Sequence, residues 1–348
     1  MDALPAITCL STNIIRILGQ NPGKFTLQGT NTYLVGCQNP YILIDAGEGR
    51  DEYIPLLESV FRDLAKPTDP TQPDISDIII SHWHHDHIGG LPSLLSSLRK
   101  RWDERNTGLP YRPPRLHKFP LSTAELPTSQ DTFYTLPSIA ASLPRDLFTP
   151  ALDASVFNDL RDGQCLSVPF IPPLHVLHTP GHTIDSLSIY LPSDRALYTA
   201  DSVLGQGTAV FEDLTAYLSS LKKMLDYVKA RDRSQSDSPI QLYPGHGPVI
   251  MNGIETLNAY IQHRLERESQ ILDVLKSAPP HDSDSAPAEW TTWKIVQRIY
   301  AAYPEALWVP AAKVIDLHLR KLERDGRVTK LGGEGREARW RLNVNNIL

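Results

Sequence analysis

A stretch rich in histidine carries the residue types best suited to chemistry in this chain. Residues 81–87 read Ser-His-Trp-His-His-Asp-His and follow directly on a run of three isoleucines. His82 and His84 alternate as neighbours in a strand do, so both side chains can point toward one metal ion. Asp86 and His87 follow the turn and are expected to serve a second ion. The competing interpretation, a solvated loop that happens to contain many histidines, is disfavoured because matching ligands recur later in the chain.

Three later segments supply those ligands, each where a predicted strand ends. His182 closes the sequence Thr-Pro-Gly-His, Asp201 follows Ala200, and His246 lies within Pro-Gly-His-Gly. Two ions need three protein ligands each and one ligand that they share. Seven residues, one of them a bridging carboxylate, meet that count. The predicted partition gives one ion His82, His84 and His182. It gives the other ion Asp86, His87 and His246, with Asp201 as the bridge.

This set of ligands predicts a binuclear hydrolytic centre. Imidazoles with some carboxylate suit zinc, and the oxygen ligands also suit manganese or iron. Two ions about 3.5–4 Å apart lower the pKa of a shared water toward about 7, which makes a hydroxide nucleophile at neutral pH. Asp86 is in addition a candidate general base or acid. Asp45 ends a buried strand and is either an outer partner that orients a metal-bound histidine or a simple turn former.

Composition predicts a soluble globular enzyme. Hydrophobic residues make up 41% of the 348 residues and charged residues 21%. No apolar run approaches the roughly 20 residues of a membrane span, and the N-terminus lacks the layout of a secretory signal. The three cysteines are an odd, scattered set, which suits the reducing cytoplasm, although an organelle stays open. The net charge of −6 counts lightly against a polyphosphate ligand.

Strands alternate with helices, and the ligands fall at strand ends, which is typical of an α/β domain, here residues 1–276. Within it, the proline-rich residues 101–150 are predicted to be an insertion or lid rather than core. Their aromatic side chains either line a substrate mouth or, as we favour, pack the insertion against the body. These aromatic residues are Phe119, Phe133, Tyr134 and Phe148.

The C-terminal part is predicted to be a separate module. Residues 277–288 form a Ser/Pro/Asp linker, and residues 289–348 have the helix, helix, hairpin outline of a winged helix. From residue 311 on there are nine Lys or Arg against five Asp or Glu. Such a basic module either touches nucleic acid or serves for packing and dimerisation, and we favour packing.

The ligand motifs, taken in order, resemble those of the metallo-β-lactamase superfamily of binuclear hydrolases. The series is His-x-His-x-Asp-His, Thr-Pro-Gly-His, Ala-Asp and Pro-Gly-His-Gly, and all seven ligand positions are filled. The resemblance implies an αββα sandwich, in which two sheets lie face to face with helices outside and metals at one edge.

A narrower resemblance, to the β-lactamase-like protein 2 group, rests on residues 21–35, 204–214 and 243–250 and on the C-terminal winged helix. It covers nearly the whole chain except residues 101–150. The group contains fungal thioesterases that release an aromatic polyketide from the acyl carrier domain of a non-reducing synthase. It also contains a mitochondrial endoribonuclease that acts on single-stranded RNA. The resemblance therefore implies either an acyl carrier partner in the cytoplasm or an RNA substrate in mitochondria.

The metal ligands cannot separate these two hydrolases, because both use the same metal hydroxide. The acidic balance, the absence of a Lys/Arg-rich stretch near the metal loops and the aromatic residues of 101–150 favour the thioesterase. Residues 205–211 also look more like the fungal sequences. A third interpretation, a non-catalytic binding module stabilised by metal, is disfavoured because structural zinc sites often use Cys and close their coordination.

Overall fold

The computed structural model describes residues 3–65, 67–121, 135–231, 239–280 and 289–343. Strands and helices alternate along most of this chain. The strands are β1 Ile7–Cys9, β2 Ile14–Leu18, β3 Asn31–Val35, β4 Tyr41–Ile44, β5 Ile75–Ile80, β6 Arg115–Lys118, β7 Phe157–Asp159, β8 Cys165–Val168, β9 Ile171–His178, β10 Leu187–Leu191, β11 Ala196–Ala200, β12 Gln241–Pro244, β13 Trp290–Thr291, β14 Val328–Gly332 and β15 Arg339–Leu342. The helices are α1 Tyr53–Asp63, α2 His85–Ile88, α3 Leu91–Arg105, α4 Leu136–Ser142, α5 Leu214–Arg231, α6 Gly253–Lys276, α7 Thr292–Ile299 and α8 Trp308–Arg324.

The first sheet has seven strands in the order β1-β2-β3-β4-β5-β6-β7. Neighbours from β1 to β4 are antiparallel, and those from β4 to β7 are parallel. Parallel neighbours need crossover connections, and α1 and α3 provide two of them. Their apolar sides, which include Leu57 and Leu95, pack with Leu43 and Ile78 on the outer face of the sheet.

The second sheet has five strands in the order β12-β11-β10-β9-β8. Only its last pair along the chain, β11 and β12, is parallel, and α5 connects them. Leu218 and Leu221 of α5, with Leu257 of α6, cover Leu197 and Leu242 on the outer face of this sheet. Each sheet is thus shielded by helices on one side only.

The inner faces of the two sheets form a shared core. Side chains alternate along a strand, so Ile44 and Ile79 face inward while Leu43 and Ile78 face the helices. Tyr33 of the first sheet stacks on Tyr243 of the second, with ring centroids 5.5 Å apart and planes 10° from parallel. Two sheets face to face with helices outside is the predicted αββα sandwich.

The C-terminal module has a three-stranded sheet, in the order β13-β15-β14, beside α7 and α8. Thr291 caps α7 by accepting a hydrogen bond from the backbone N–H of Lys294 at 3.1 Å. The core of the module includes Trp340 and Ile315, and it continues onto Ile271 and Leu272 of α6. The long helix α6 therefore belongs to both parts of the molecule, and the predicted winged helix packs on it.

The prediction that residues 101–150 form an insertion outside the core is wrong for much of the described part. β6 is an interior strand between β5 and β7, and Leu116 and Phe148 are buried in the core of the first sheet. The sequence did not reveal this strand because β6 has only four residues, two of them basic, and shows no apolar period. Phe119 stacks on His178 with centroids 3.6 Å apart. Residues 122–134, including Phe133 and Tyr134, lie outside the described ranges, as do residues 281–288 of the predicted linker.

None of the helices within the described ranges is long and apolar enough to cross a membrane.

Candidate metal centre

The turn after β5 carries four of the seven predicted ligands. β5 ends at Ile80, and the chain bends before the short helix α2 begins. His82 and His87 are fully buried, whereas the side chain of Asp86 is 21% exposed. The alternation of His82 and His84 predicted that they continue the strand, but both residues lie in this turn. The bend of the chain, and not the pleat of a strand, therefore aims the two rings.

Two glycines after α2 let this turn pack closely on the loop that follows β4. A Cβ on Gly90 would lie 2.1 Å from the carbonyl oxygen of Ala46, and one on Gly89 would lie 2.4 Å from that of Glu48. The Ala46 N–H donates to the carbonyl of His87 at 2.8 Å. This close approach of two backbones brings the residue before Ala46, Asp45, beneath the histidine turn.

The second sheet contributes the other three predicted ligands, each from a different loop. His182 lies in the turn between β9 and β10, Asp201 directly follows β11, and His246 follows β12. β11 and β12 are parallel and end at the same edge of the sheet. A backbone hydrogen bond from the Gly245 N–H to the Ala200 carbonyl, 2.8 Å long, ties these two loops together. The sheet order thus places residues distant in sequence against the histidine turn.

The seven residues meet in two adjoining clusters. His82, His84, His182 and Asp201 form the first cluster, and Asp86, His87 and His246 form the second, with the ligand atoms of each cluster within 4.8 Å of one another. In the first cluster, Nε2 of His82 and Nε2 of His182 each lie 3.0 Å from Nδ1 of His84. Apart from Asp201, the residues divide into a group of three histidines and a group made of Asp86, His87 and His246.

Asp201 lies between the clusters. Its Oδ2 is 3.6 Å from Nε2 of His182 in the first cluster and 3.1 Å from Nε2 of His246 in the second. Its Oδ1 is 3.4 Å from Nε2 of His87. Oδ2 of Asp201 thus lies near imidazoles of both clusters.

Carboxylate or carbonyl oxygens hold three of the rings through Nδ1, which leaves Nε2 to face the clusters. Nδ1 of His87 donates to Asp45 Oδ2 at 2.7 Å, and Nδ1 of His182 donates to the backbone carbonyl of Val210 at 2.8 Å. His246 Nδ1 points to the carbonyl of Gly29 at 3.4 Å. A carboxylate or carbonyl acceptor requires the proton on Nδ1, so Nε2 has its lone pair free for a cation.

Asp45 therefore acts as an orienting partner, and it is more than a turn former. It is fully buried in a left-handed conformation with φ of 63°, which Asp tolerates better than most residues. Its Oδ1 accepts from the Ser81 N–H at 2.8 Å and its Oδ2 from the Ser81 hydroxyl at 2.9 Å. The hydroxyl of Tyr198 also donates to Oδ2. The carboxylate thus fixes His87 and the start of the histidine turn together.

Buried atoms without hydrogen bonds test whether cations fit this site. Nε2 of His87 and Oδ1 of Asp201 are shielded from solvent, and neither has a hydrogen-bond partner among the described residues. An unmatched buried acceptor costs about 1–3 kcal/mol, so such atoms call for an explanation. Both atoms point into the clusters, and imidazole with carboxylate is a good donor set for divalent transition metals. The residues therefore fit a pair of divalent ions.

Comparison with known proteins identifies the family. Residues 25–246 match the model of the Metallo-beta-lactamase superfamily, and residues 291–340 match that of the Beta-lactamase associated winged helix domain. The chain belongs to the metallo-beta-lactamase superfamily. It is 34% identical to the Beta-lactamase-like protein 2 homolog of Drosophila melanogaster over 96% of both chains. It is also 30% identical to an atrochrysone carboxyl ACP thioesterase of Aspergillus novofumigatus, over 94% of this chain and 84% of that protein.

Solved structures agree on the fold. A beta-lactamase domain protein from Burkholderia ambifaria superposes with a TM-score of 0.66 at 15% identity, over 98% of this chain and 96% of that one. The metallo-beta-lactamase family protein from Thermus thermophilus gives 0.59 at 20% identity, over 96% of this chain and all of that one. The family match makes the chain a metallo-β-lactamase-fold hydrolase with a C-terminal winged helix, and its two clusters are consistent with a binuclear metal site.

The two clusters of this metallo-β-lactamase fold differ in charge. Burial and the neighbouring imidazoles lower the pKa of His82 well below its usual value and the pKa of His84 to about 3. In the second cluster burial also opposes the charged form, but Asp201 and Asp86 outweigh it and raise the pKa of His246 to about 9. The imidazoles of the first cluster are thus neutral donors, whereas the carboxylates of the second cluster favour a positive charge beside them, which a metal ion would supply when bound.

Two cavities, of about 380 and 710 Å³, open over the clusters. Both are lined by Phe25 and Val210, whose side chains are 72% and 54% exposed. Leu27 and Leu204 extend the apolar lining of the smaller cavity, and Lys313 of α8 lines the larger one. The winged helix therefore contributes a wall to the mouth of the site.

The remaining histidines of interest lie outside the clusters. His85 is exposed, and its Nδ1 is 3.0 Å from the Thr135 hydroxyl. His178 is hydrogen-bonded through Nε2 to the Ile184 carbonyl at 2.8 Å and does not contact the predicted ligands. Sequence reasoning missed Tyr198 and Thr30, whose hydroxyl donates to Asp86 Oδ2 at 3.0 Å. Thr30 stands inside a motif quoted for the family resemblance, which was the available signal.

Proposed function

We propose that this hydrolase is a thioesterase that cleaves the thioester linking an aromatic polyketide chain to an acyl carrier protein. Its partner is then the acyl carrier domain of a non-reducing polyketide synthase. The two ions are zinc, with manganese or iron as substitutes. One ion is held by His82, His84 and His182. The other is held by Asp86, His87 and His246, and Asp201 bridges the two.

The residues of the chain supply the remaining parts of the reaction. When bound, a pair of divalent ions lowers the pKa of a shared water and polarises the carbonyl oxygen of the substrate. Asp45 and the Val210 carbonyl keep the rings of His87 and His182 in one tautomer and orientation. Asp86 is, with His84, one of two partly exposed proposed ligands, and we assign it the further task of moving a proton as a general base or acid. A thiolate leaves without being protonated by a strong acid, so Asp86 needs no raised pKa for this task.

The lining of the mouth is the observation that carries the choice of substrate. Besides the proposed ligands, the charged side chains that line it among the described residues are two lysines, Lys24 and Lys313, and two glutamates, Glu48 and Glu212. These charges balance, whereas a groove that tracks an RNA backbone is positively charged. The exposed apolar side chains of Phe25 and Val210 suit an uncharged aromatic acyl chain instead.

The charges of the winged helix also argue against RNA. Five of its basic residues form ion pairs with carboxylates, which leaves less positive charge for phosphates. These residues are Arg320, Lys321, Arg324, Lys330 and Arg339. Relatives named as atrochrysone carboxyl ACP thioesterases, at 30% identity over most of the chain, support the same choice. The three cysteines are free and exposed, which suits the cytoplasm.

One parallel assay tests the proposal. Purified protein is given an aromatic polyketide bound to an acyl carrier protein and, separately, a labelled single-stranded RNA. We expect release of the free acid and intact RNA, and Asp201→Asn serves as the inactive control in both arms. RNA cleavage without acid release would contradict the proposal and favour the endoribonuclease.

Metal content separates catalysis from the third interpretation, a binding module stabilised by metal. We expect about two ions per chain in the purified protein, because the proposed catalytic centre holds a pair. A catalytic pair also leaves a coordination position open for the substrate. One tightly held ion per chain, with no hydrolysis of either substrate, would instead support a structural role.

A further inference from the structure

Residues 209–213, which we call the lip, connect the mouth of the site to one of its proposed ligands. The carbonyl of Val210 accepts the hydrogen bond from Nδ1 of His182 at 2.8 Å. The N–H groups of Glu212 and Asp213 both point at the carbonyl of Gly181, at 2.7 and 3.2 Å. The lip therefore runs beside the turn that carries His182, and its position determines where that ring points.

Gly181 makes this contact close. A Cβ at position 181 would lie 2.3 Å from the Cα of Tyr217 in α5, and the residue has a φ of 134°. Both features require glycine. The turn with His182 is consequently wedged between α5 and the lip, and a shift of the lip moves the ring.

The buried guanidinium of Arg264, in α6, holds the lip from behind. The residue is only 5% exposed, and Nη2 donates to the carbonyl of Ala209 at 3.0 Å. The guanidinium carbon lies 4.8 Å from the ring centroid of Phe211 and 5.8 Å from that of Tyr217. Aromatic faces and one carbonyl offset only part of the free energy that burying a cation costs, so an apolar side chain would fill this space at lower cost. The arrangement instead joins Ala209 and Phe211, which flank Val210, to a single side chain.

The winged helix closes the lip from the other side. His318 of α8 is fully buried and forms a T-shaped pair with Phe211, with ring centroids 6.3 Å apart and planes at 86°. At the end of α8, Arg324 binds Asp213 with two hydrogen bonds of 2.8 and 3.2 Å. Phe211 is thus clamped between Arg264 and His318.

We propose that α6 and the winged helix position the metal centre through the lip, with Arg264 and His318 as positioning residues. Arg264 and His318 fix Phe211, which fixes the neighbouring Val210 carbonyl and hence the ring of His182. The inference rests on the proposed role of His182 as a ligand. It makes the winged helix part of the active site, and it concerns the ion of the first cluster alone.

Metal binding to the full-length protein tests this inference without any substrate. Arg264→Met keeps the stem of the side chain but removes the hydrogen bond to Ala209 and the charge over Phe211. We expect one of the two ions to bind about 10–100-fold more weakly in a chelator titration, the usual effect of losing an outer partner. The other ion should keep its affinity, because its proposed ligands do not touch the lip.

Arg267→Met is the matched control. Arg267 lies three residues further along α6, and its guanidinium stacks on Tyr300 at 4.7 Å, away from the lip. This variant should bind both ions as the wild type does. Arg264→Lys keeps the charge and thus the fold, and it should weaken the same ion by a smaller factor because it loses the planar fork.

The outcomes distinguish two failures. A wild-type chain that binds fewer than two ions contradicts the proposed centre and the inference together. A wild-type chain that binds two ions, with Arg264→Met and Arg264→Lys equal to it, contradicts the positioning role alone. Equal weakening of both ions would point to general loosening of the fold, and that too overturns the inference.

Discussion

Strand β5 carries buried Asp and His networks at both of its ends, and the two networks differ in how their charges are matched. At the start of the strand, Asp77 accepts two hydrogen bonds from Arg115, at 2.8 and 3.0 Å, and one from His117 at 2.7 Å. Beyond its other end, Nε2 of His87 and Oδ1 of Asp201 are buried and have no hydrogen-bond partner in the described part of the chain.

The difference shows what separates a structural network from a functional one. Both ends combine carboxylates with imidazoles in the interior, so residue type and burial alone do not distinguish them. Asp77 is fully matched by cationic and hydroxyl donors of the protein itself, and nothing is left to bind. Around Asp201 the protein supplies donor atoms that converge on one another, which is costly unless a cation completes them.

The largest expected effect comes from removing the bridging carboxylate. Asp201→Asn should lose one or both ions and lower turnover at least about a thousandfold, because metal polarisation supplies several kcal/mol to the reaction. Elemental analysis and hydrolysis assays measure the two effects, and His84→Ala should behave in the same way with the fold intact. Asp162→Asn, in an exposed pair with Lys223, is the control. Full turnover by metal-free Asp201→Asn protein would sink the binuclear mechanism.

A smaller effect is expected for Asp45→Asn. Asn also tolerates the positive φ of this position, so the backbone is unperturbed, but the carboxylate that orients His87 is lost. We expect metal affinity to fall by about 10–100-fold in a chelator titration. Asp77→Asn, the same change at the opposite end of β5, should leave metal affinity unchanged. If both variants weakened metal binding equally, the contrast between the two ends would be false.

Asp77 should instead matter for stability in acid. Burial alone would raise its pKa, but hydrogen bonds from His117, Arg115 and Ser76 outweigh burial and lower the pKa from 3.8 to about 2. The folded state therefore favours the ionised form, and the network contributes about 2 kcal/mol above pH 4. That contribution disappears as the pH falls toward 2. Urea unfolding at several pH values should show the loss in the wild type, while Asp77→Asn should be less stable at pH 7 and lack this dependence.

The smallest effect is expected where charges are exposed. Arg324 and Asp213 pair across the surface, with side chains 51% and 42% exposed. Arg324→Gln should lower the free energy of unfolding by less than about 1 kcal/mol, and added salt should shrink the difference. A loss larger than that of Asp77→Asn would mean that exposed pairs outweigh the buried network.

The sequence predicted much of the site because its signals are local. Ligand residues beside Gly and Pro at strand ends are visible without coordinates, and the resemblance that these motifs carry implied the sandwich. The structure brings all seven residues together in two clusters, and their division between two ions stays a prediction. The failure at residues 101–150 has a local cause as well, since β6 is too short and too polar to show a period. Hydrogen-bond pairing with β5 and β7, rather than a pattern in its own sequence, decides where β6 lies in the sheet.

Other features could not be predicted because they depend on contacts between distant segments. The Val210 carbonyl that orients His182 is a backbone group, which any residue type provides. Asp77 and His117 are far apart in sequence, and neither belongs to a motif. The choice between orienting partner and turn former at Asp45 was also decided by position, because the close approach of Gly90 to Ala46 brings His87 over its carboxylate.

The division of the proposed ligands between the two sheets has a thermodynamic consequence. Four come from the turn after β5 and three from loops of the second sheet, so ions bound there cross-link the sheets. The unfolded chain has no such constellation, and metal binding is then coupled to folding. Well above the dissociation constant, each tenfold rise in free metal should stabilise the protein by about 1.4 kcal/mol for each ion bound. The melting temperature of this enzyme should therefore follow the metal supply of its surroundings.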